Sequence, residues 1–366
     1  MKMPYRPKRQ SDIILIGKGP LIEAVSNVLT NDRDKVIKLP EIEGAHFISK
    51  GVVVYEGERI ASKRFMLVMP KQKQIPDIKG IDQTEYSELG SSEIKLPKGD
   101  VVIVGSDELA VSAAMELATS GAMVTMIYPS DSLLSAYDIS VQDVISRYLR
   151  KFKVKLLPQH TLLASVTKAG TTYMLAKNGK SSKKLSCTTL YIEPSETGIS
   201  DIGLDNCGEF LTDTNDPVIF EKNLLIINNE QLIMSLSDAR TYAQILEGKR
   251  IRKPRSVAEK RAKAQAIEYF SFGVLEQDFL DTHIGYRKSI AKVAIPGSDV
   301  TGYIKVIVSL KRKVVGISGV VSRDYPGIEL LRFATKNNLK VKDLSKLIDI
   351  DDPIIGAYQE MYRELM

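Results

Sequence analysis

The stretch that decides the fold is VVIVGSDELA, residues 101–110. Four consecutive β-branched residues run up to Gly105, and a helical pattern of apolar residues begins just after them. This order predicts a buried strand, a tight turn and a helix whose first backbone amides can hold an anion. However, Asp107 stands where a second glycine would let a phosphate approach the backbone. The stretch therefore predicts a nucleotide-binding type of unit with a carboxylate in its turn.

A second unit of the same kind precedes it. Residues 12–29 read DIILIGKGPLIEAVSNVL and are followed by KVIKL, while the later unit extends as DVVIVGSDELAVSAAMELATSGAMVTMIY over residues 100–128. Strands that are apolar along nearly their whole length are typical of parallel sheets covered on both faces. The two units thus predict two nucleotide-type domains.

The remaining patterns predict a third domain. A helix is expected over residues 141–152, and LLASVTKAGTTYMLAKNG with KKLSCTTLYIEP predicts an antiparallel meander. Ser256 and Glu259 form a capping-box pattern for a helix that would run to about Phe270. From Ser289 the strands SIAKVAIP, GYIKVIVSL and KVVGISGVV precede the helical YPGIELLRFATKNN and VKDLSKLI, which predicts an α+β domain.

Composition is that of a soluble globular protein. The 366 residues suffice for two or three domains, with 43% hydrophobic and 26% charged residues. No apolar run approaches the ~20 residues of a membrane span, and the basic N-terminus lacks a signal-peptide cleavage pattern, so we expect a cytoplasmic protein with no membrane partner. Cys187 and Cys207 are expected to be reduced and not to form a redox dithiol. The histidines lack ligand spacing, so no metal site is predicted; they are His46, His160 and His283.

The positive charge is concentrated in one segment. Residues 249–263, KRIRKPRSVAEKRAK, hold eight basic residues and one acid, a local +7 against +6 for the whole chain. Two interpretations stay open: a solvated linker, or a surface for phosphates or an acidic protein. The candidate contacts are Lys249, Arg250, Arg252, Lys253, Arg255, Lys260, Arg261 and Lys263. Few aromatic residues lie among them, so stacking on single-stranded bases is not indicated.

The order of these patterns resembles the flavin-dependent pyridine nucleotide-disulfide oxidoreductases, the family of dihydrolipoamide dehydrogenase. DIILIGKGP is similar to the family's FAD-binding start, ELATSGAMVTMI to its NAD-binding unit, GYIKVIVSLKRKVVGISGVV to its dimerisation domain, and PDIKGID to the crossover between the nucleotide domains. The resemblance implies an α/β fold with two Rossmann-like FAD/NAD(P)-binding-type domains and a C-terminal α+β dimerisation-type domain.

The resemblance also implies domain boundaries. A reduced, discontinuous FAD-type domain would cover residues 1–95 and 185–248, and the NAD-type domain residues 96–184. Residues 249–266 would form a basic linker and helix start, and residues 267–366 the dimerisation-type domain.

The family's redox chemistry is missing from the matching positions. In the family a helix beneath the flavin carries a closely spaced cysteine pair, but here only about a dozen residues separate KVIKL from the return strands, and none is cysteine. The family's terminal His-Pro and Ser-Glu supply the acid and base. In the matching DDPIIGAYQE, Asp352 replaces the histidine, and Gly356 and Ala357 replace the Ser-Glu pair. No catalytic residue is therefore predicted.

The nucleotide motifs are incomplete. Gly17 and Gly19 keep the first two glycines of the FAD turn, but Ile22 occupies the third position. The family's later Gly-Asp is also missing, with Asn228 and Asn229 as the nearest equivalents.

The second strand-turn-helix motif, residues 100–128, contains a residue that would obstruct a phosphate. Asp107 would repel a pyrophosphate by roughly 4 kcal/mol at about 4 Å and an effective dielectric near 20. We expect Asp107 to cap the following helix instead. Tyr128 stands where the family's acid holds a ribose hydroxyl.

The leading functional hypothesis is a catalytically inactive relative of this family that acts as a scaffold or regulatory interaction protein. One alternative is an FAD- or NAD(P)-dependent oxidoreductase without the dithiol, with the nucleotide at Gly17, Gly19 or Gly105; another is a nucleic-acid or ribonucleoprotein binder that uses the basic segment. We expect no cofactor, with FAD or NAD(P) as the open possibility. The expected partner is a second copy or an active relative of the chain.

Overall fold

The computed structural model describes residues 9–29, 36–42, 44–69, 71–90, 94, 99–179, 181–198, 218–221, 224–227, 236–248, 259–295, 300–344, 346, 359 and 362–365. The chain forms two compact units. Unit 1 comprises residues 1–74 and 196–256, and unit 2 comprises residues 75–195 and 257–366.

The strands follow one another along the chain as β1 (Arg9–Ile16), β2 (Val36–Leu39), β3 (Ala45–Ser49), β4 (Val52–Tyr55), β5 (Glu58–Val68), β6 (Lys71–Gln74), β7 (Ser87–Glu88), β8 (Asp100–Val104), β9 (Met123–Ile127), β10 (Lys155–Leu157), β11 (Thr161–Lys168), β12 (Thr171–Asn178), β13 (Ser181–Cys187), β14 (Thr189–Ile192), β15 (Ser195–Gly198), β16 (Val218–Glu221), β17 (Leu224–Ile227), β18 (Glu259–Ala264), β19 (Ile267–Gly273), β20 (Tyr286–Val293), β21 (Gly302–Ser309) and β22 (Val314–Ser322). The α-helices are α1 (Pro20–Leu29), α2 (Glu108–Thr119), α3 (Ile139–Lys151), α4 (Leu236–Leu246), α5 (Glu276–Thr282), α6 (Ile328–Lys336) and α7 (Val341–Leu344). A short 3-10 helix covers Ile81–Gln83.

Unit 1 is built on a sheet with parallel strands at its centre. β1 pairs in parallel with β2 and β5, and β5 pairs in parallel with β17. β16 and the β3–β4 hairpin add antiparallel strands. Ile13 and Leu15 of β1 pack on the face of α1 and α4, whereas Ile14 and Ile16 pack on the opposite face. Both faces are therefore covered, which confirms the fold expected from the continuous apolar strand.

The nucleotide-type part of unit 2 has a five-stranded parallel sheet in the order β10-β9-β8-β14-β7. Val101 and Ile103 belong to a core that includes α2 and α3. Val102 and Val104 face the antiparallel meander β11-β12-β13. The predicted strand, turn and helix are confirmed here, and so is the meander as far as β13. Its predicted end is wrong, because TLYI forms β14, which pairs in parallel with β8.

The C-terminal part of unit 2 is an antiparallel sheet in the order β18-β19-β22-β21-β20. Phe270 and Ile304 lie on the face covered by α6 and α7, whereas Tyr269 and Tyr303 lie in the same core as α2 and α3. The predicted strands and helices after Ser289 are confirmed.

The helix predicted from the Ser256 and Glu259 capping box is wrong. The described residues from Glu259 form two antiparallel strands, β18 and β19, joined by a turn at Gln265 with φ of 54°. All seven residues of β19 are buried because both faces of the sheet are covered. This tertiary pairing outweighs the local capping pattern.

A buried lysine joins the two parts of unit 2. Lys305 of β21 is 0% exposed, and its ammonium donates to Asp138, to Glu276 Oε2 at 2.7 Å and to Ser140 Oγ at 2.8 Å. Asp138 is the N-cap residue of α3, and its Oδ1 also accepts from the Ser140 backbone N–H at 3.0 Å. The start of α3 is thus tied to β21 and α5 by charge.

The strand pairing moves the division of the chain away from the predicted boundaries. β7 and β14 both pair within the sheet of β8, because β14 lies in parallel register between β8 and β7. The chain therefore passes between units near residues 74 and 195, whereas the prediction put these points at 95 and 185. No helix among the described residues is long and apolar enough to cross a membrane.

Candidate functional site

The turn after β1 has the backbone shape of a phosphate-binding turn. Gly17 has φ of 118°, and a Cβ there would lie 2.6 Å from the carbonyl oxygen of Val68, so only glycine fits. Gly19 has φ of 117°, and a Cβ there would meet no atom of the described residues within 4 Å. The space beside Gly19 is therefore open where the following helix begins.

A cation lies in the same turn. Lys18 Nζ lies 3.2 Å from Glu41 Oε1, and Glu41 follows β2 by two residues. Both side chains are exposed, so the pair is screened and can rearrange. Ile22, at the third glycine position, is buried against Ile13 and Leu15 without disturbing the helix. The described residues of this turn fit a dinucleotide pyrophosphate, which Gly17, Lys18 and Gly19 would hold.

The turn after β8 is filled by a side chain from another strand. Glu193 follows β14, and its backbone N–H donates to the Val104 carbonyl at 2.8 Å. Its Oε2 accepts from the backbone N–H of Ser106 at 2.8 Å and of Asp107 at 2.9 Å. Its Oε1 accepts from Ala110 N–H at 3.0 Å. One carboxylate thus takes three amides at the start of α2, the groups that bind phosphate in turns of this kind.

Gly105 is shaped to this carboxylate. A Cβ on Gly105 would lie 2.5 Å from both Cβ and Oε2 of Glu193, and 3.0 Å from Ala110 Cβ. With φ of 154° and no side chain, Gly105 lets Glu193 contact the turn directly. Glu193 therefore occupies the space beside the backbone that a glycine turn usually leaves for a ligand.

The electrostatic surroundings of Glu193 disfavour its charge. Burial raises its pKa, the amide N–H groups of Asp107 and Ala110 oppose that rise, and the Asp107 charge adds to it, so that the pKa is about 7. Glu108 accepts a hydrogen bond from the Tyr137 hydroxyl at 3.0 Å. Burial, with Glu108 as the next cause, raises the pKa of Tyr137 far above its usual range. The turn is thus rich in carboxyl groups.

Asp107 does not act as predicted. It is the N-cap residue of α2 with extended backbone, but its side chain makes no capping hydrogen bond. Glu193 makes that bond instead, because Ala110 is the third residue of the helix and its N–H is the usual capping partner. The position of Asp107 was predicted correctly, whereas its hydrogen-bonding role was wrong.

Tyr128 lies where the sequence placed it, directly after β9, and is 3% exposed. Burial raises the pKa of its hydroxyl, partly offset by Arg150. Tyr128 therefore offers no carboxylate for a ribose, and Glu193 fills the phosphate position. The described residues of this turn do not fit an NAD(P) pyrophosphate.

The place of the redox cysteines is taken by a short connection. β2 ends at Leu39 and β3 begins at Ala45, and the described residues between them, 40–42 and 44, form no helix. Cys187 is a buried free thiol in β13, and burial raises its pKa to about 11, so it is not a thiolate at neutral pH. Several sequence predictions lie outside the described residues: Cys207, Asn228, Asn229, Asp352, Gly356 and Ala357.

The three histidines lie on different elements of the fold. His46 is exposed on β3, and His160 Nδ1 lies 2.7 Å from the Pro158 carbonyl oxygen. His283 ends α5 with φ of 54°. Within the described part of the chain no three His, Cys, Asp or Glu side chains come together as a metal site would need.

The described end of the basic segment lies on a strand. Lys260 Nζ lies 3.7 Å from Glu108 Oε1, and Arg261 pairs with the fully buried Glu268 and with Glu329. Lys263 pairs with Asp324. These three side chains face carboxylates of the same chain, and their binding to phosphates stays a prediction. The other candidates lie outside the described residues: Lys249, Arg250, Arg252, Lys253 and Arg255.

Sequence reasoning missed Glu193. The available signal was its place directly after the buried strand of TLYIEP, since parallel strands bring their carboxyl ends to one edge of the sheet. An acidic residue there comes next to a helix N-terminus that favours negative charge. Finding it would have required knowing that β14 is the neighbour of β8.

Comparisons with known proteins agree with this architecture. Residues 100–179 match the family model described as pyridine nucleotide-disulphide oxidoreductase. A mercuric reductase from Bacillus cereus is 24% identical over 148 residues, which cover 38% of this chain and 24% of that protein. One from Staphylococcus aureus is 25% identical over 151 residues, 41% of this chain and 24% of that protein. The matched segment thus spans about a quarter of these relatives' length.

Solved structures match over nearly the whole chain. A mutant of the HOCl-induced flavoprotein disulfide reductase RclA from Escherichia coli, as a Cu(II) complex, has a TM-score of 0.71 at 16% identity and covers 97% of this chain and 99% of that chain. An NAD-dependent persulfide reductase from A. fulgidus has a TM-score of 0.66 at 15% identity, with coverage of 95% and 82%.

The two sheets with glycine turns and the C-terminal antiparallel sheet define the fold class of the flavoprotein disulfide reductases. Residues 100–179 are similar in sequence to the pyridine nucleotide-disulphide oxidoreductase family model, and the rest of the chain shares the fold of these reductases.

Proposed function

We propose that this chain is a catalytically inactive relative of the disulfide oxidoreductases that acts as a scaffold or regulatory interaction protein. The observation that carries the proposal is the β2–β3 connection. Only residues 40–44 separate the two strands, which leaves no room for a helix that carries two cysteines with four residues between them. The sequence offers only Cys187 and Cys207, and the described one is buried and protonated. A disulfide reductase needs an accessible thiolate to attack its substrate.

The test is an activity assay of the purified chain with added FAD, NADH or NADPH, and a chromogenic disulfide. We expect no turnover beyond that of the mixture without protein. Cys187→Ser is the matched control, since it removes the described thiol and is expected to behave identically. Steady turnover by the unmodified chain would contradict the proposal, and its loss in Cys187→Ser would identify this thiol as the source.

A surface for association lies in the C-terminal part of unit 2. Leu310 is 72% exposed and Ile284 is 58% exposed, and the two lie near each other because Leu310 Cδ1 would be 3.4 Å from a Cβ on Gly285. Exposed apolar side chains that lie together mark interaction surfaces. We propose that this surface pairs with a second copy or with an active relative. The free thiol of Cys187 is in keeping with a cytoplasmic location, which stays a prediction.

A second candidate is an oxidoreductase that binds FAD without a dithiol. The open turn beside Gly19 and the cation of Lys18 favour it. Bound flavin would supply two-electron chemistry, while Gly17 and Gly19 would bring backbone close to its pyrophosphate. A flavin absorption band that stays with the protein through gel filtration and is weakened in Lys18→Glu would support this candidate. A colourless protein that takes up no added FAD would exclude it.

A further inference from the structure

The amides at the start of α2 are the part of unit 2 that a nucleotide pyrophosphate would use, and they already donate to Glu193. We propose that Glu193 is a built-in ligand of this turn, which takes the place of a nucleotide phosphate and keeps unit 2 free of NAD(P). The inference extends the proposed function by giving a physical reason for the loss of the nucleotide. It depends on different residues from the dithiol argument.

The hydrogen bonds make the two ligands mutually exclusive. Ser106 and Asp107 direct their N–H groups at one carboxylate oxygen, and Ala110 directs its N–H at the other. A phosphate would need the same donors from the same side. Because each N–H donates to one well-aligned acceptor at these distances, a phosphate must first displace Glu193.

The Glu193 side chain fills the space directly beside Gly105. Glu193 Cβ and Oε2 both occupy the space that a Cβ of Gly105 would fill. The strand register holds the Glu193 backbone there, through its N–H bond to the Val104 carbonyl and the parallel pairing of β14 with β8. The position of β14 in the sheet thus places the Glu193 side chain at the turn, and α2 need not move for the contact to form.

Charge adds to the exclusion. Asp107 and Glu108 lie at the same helix start, and the cation described near them, Lys260, lies 3.7 Å from Glu108. A pyrophosphate would meet the charges of Asp107 and Glu193 together. Like charges in a partly buried turn repel more strongly than in water.

The contact should be sensitive to pH. Asp107 and Tyr269 of β19 interact electrostatically with Glu193. Tyr269 also interacts with Glu108, which accepts a hydrogen bond from Tyr137 and lies 3.7 Å from Lys260 of β18. The Tyr269 hydroxyl is buried and has no hydrogen-bond partner. None of these groups supplies a cation directly to Glu193. Because burial raises the pKa of Glu193, its protonated form is favoured in this turn, and the contact changes as the pH passes through about 7.

The experiment uses inorganic pyrophosphate as the probe and isothermal calorimetry as the measurement. The decisive comparison is between Asp107→Gly and Asp107→Gly/Glu193→Ala, because the charge of Asp107 is absent from both. We expect the double variant to bind pyrophosphate at least about tenfold more tightly at pH 8. The unmodified chain and Glu116→Ala, an exposed carboxylate farther along α2, should bind no better than Asp107→Gly. Equal affinities in the decisive pair would overturn the inference.

A second measurement needs no variant. In the 15N-labelled unmodified chain, the amide signals of Ser106, Asp107 and Ala110 should shift together with a midpoint near pH 7, because all three donate to the carboxylate that titrates there. Absence of this common transition between pH 5 and 9 would overturn the assignment of the carboxylate to these amides. The disulfide-reduction assay is independent: turnover there would contradict the proposed inactivity while leaving the Glu193 result unchanged.

Discussion

Substituting Lys305 with methionine tests the charge that joins the two parts of unit 2. The side chain is fully buried, and its ammonium is shared by Asp138 and Glu276. Lys305→Met keeps the chain length and the apolar stem but leaves the two carboxylates without their common cation.

The magnitude follows from what remains around each carboxylate. Removing one partner of a buried ion pair costs about 3–5 kcal/mol. Asp138 would keep the backbone N–H groups of Ser140 and Glu276, both at 3.0 Å, and Glu276 would keep Lys288 at 2.5 Å and Tyr286 at 2.8 Å. These remaining bonds place the expected loss near the lower end, about 3 kcal/mol. For a unit of this size that is a fall in Tm of roughly 6–12 °C.

The loss should depend on pH in a defined direction. Burial alone would raise the pKa of Glu276, but hydrogen bonds from Lys288, Lys305 and Tyr286 outweigh it and lower the pKa to about 2 from a usual 4.5. A lowered carboxyl pKa stabilises the folded state above pH 4.5, and that stability is lost as the pH falls toward 2. Lys305→Met should therefore differ most from the unmodified chain at neutral pH and least near pH 3.

The assay is thermal and urea unfolding of both chains between pH 3 and 8, with Lys292→Met as the control. Lys292 lies exposed on β20 of the same sheet, so its substitution should change the free energy of unfolding by less than about 0.5 kcal/mol. A loss at neutral pH below about 1 kcal/mol for Lys305→Met would refute the reasoning, as would a loss independent of pH.

The other features of the molecule give three further predictions. Asp107→Ala should change the free energy of unfolding by less than about 0.5 kcal/mol in urea titrations, whereas Glu193→Ala, which removes the capping carboxylate, should cost about 1 kcal/mol near pH 5. The cost of Glu193→Ala should be smaller at pH 8, because stability that comes from a raised carboxyl pKa is lost as the pH rises through about 7, and the reverse order of the two variants near pH 5 would restore Asp107 as the cap. Ile284→Ser with Leu310→Ser should convert a dimer to a monomer in light scattering at micromolar concentration, and a monomeric unmodified chain would contradict self-association. Replacing the five basic residues of 249–255 with glutamine should weaken RNA binding, and the slope of log K against log salt concentration should fall by nearly one unit per contact removed. Equal, weak binding by both chains would support the interpretation of the segment as a solvated linker.

The sequence predicted the fold well because its signals are local. The apolar run of β8, the glycine after it and the periodic α2 determine a strand-turn-helix within one stretch. The meander and the strands after Ser289 follow from alternation of apolar and polar residues, which is also a local signal. The wrong helix over β18 and β19 shows the limit, because β18 pairs with β19 and β19 pairs with β22, which lies about fifty residues farther along the chain.

The site was less accessible to sequence reasoning because it depends on contacts between distant residues. Glu193 reaches amides more than eighty residues earlier in the chain. Asp107 is a residue type that often caps helices, but the capping hydrogen bond is made by Glu193, which follows the neighbouring strand β14. The basic side chains of Lys260 and Arg261 resembled a free surface in sequence, and only the fold shows which carboxylates they meet.

The carboxylate of Glu193 also changes how the stability of unit 2 depends on the nucleotide concentration in the cell. A protein that binds a nucleotide only when folded gains stability with ligand concentration, about 2.7 kcal/mol at a hundredfold excess over Kd, and loses it when the nucleotide is depleted. A ligand that is part of the chain is present at the same effective concentration in every molecule. The turn between β8 and α2 is therefore expected to be completed at the moment of folding. Unit 2 should keep the same Tm whether nicotinamide nucleotides are abundant or scarce, as a constant component of whatever assembly it joins.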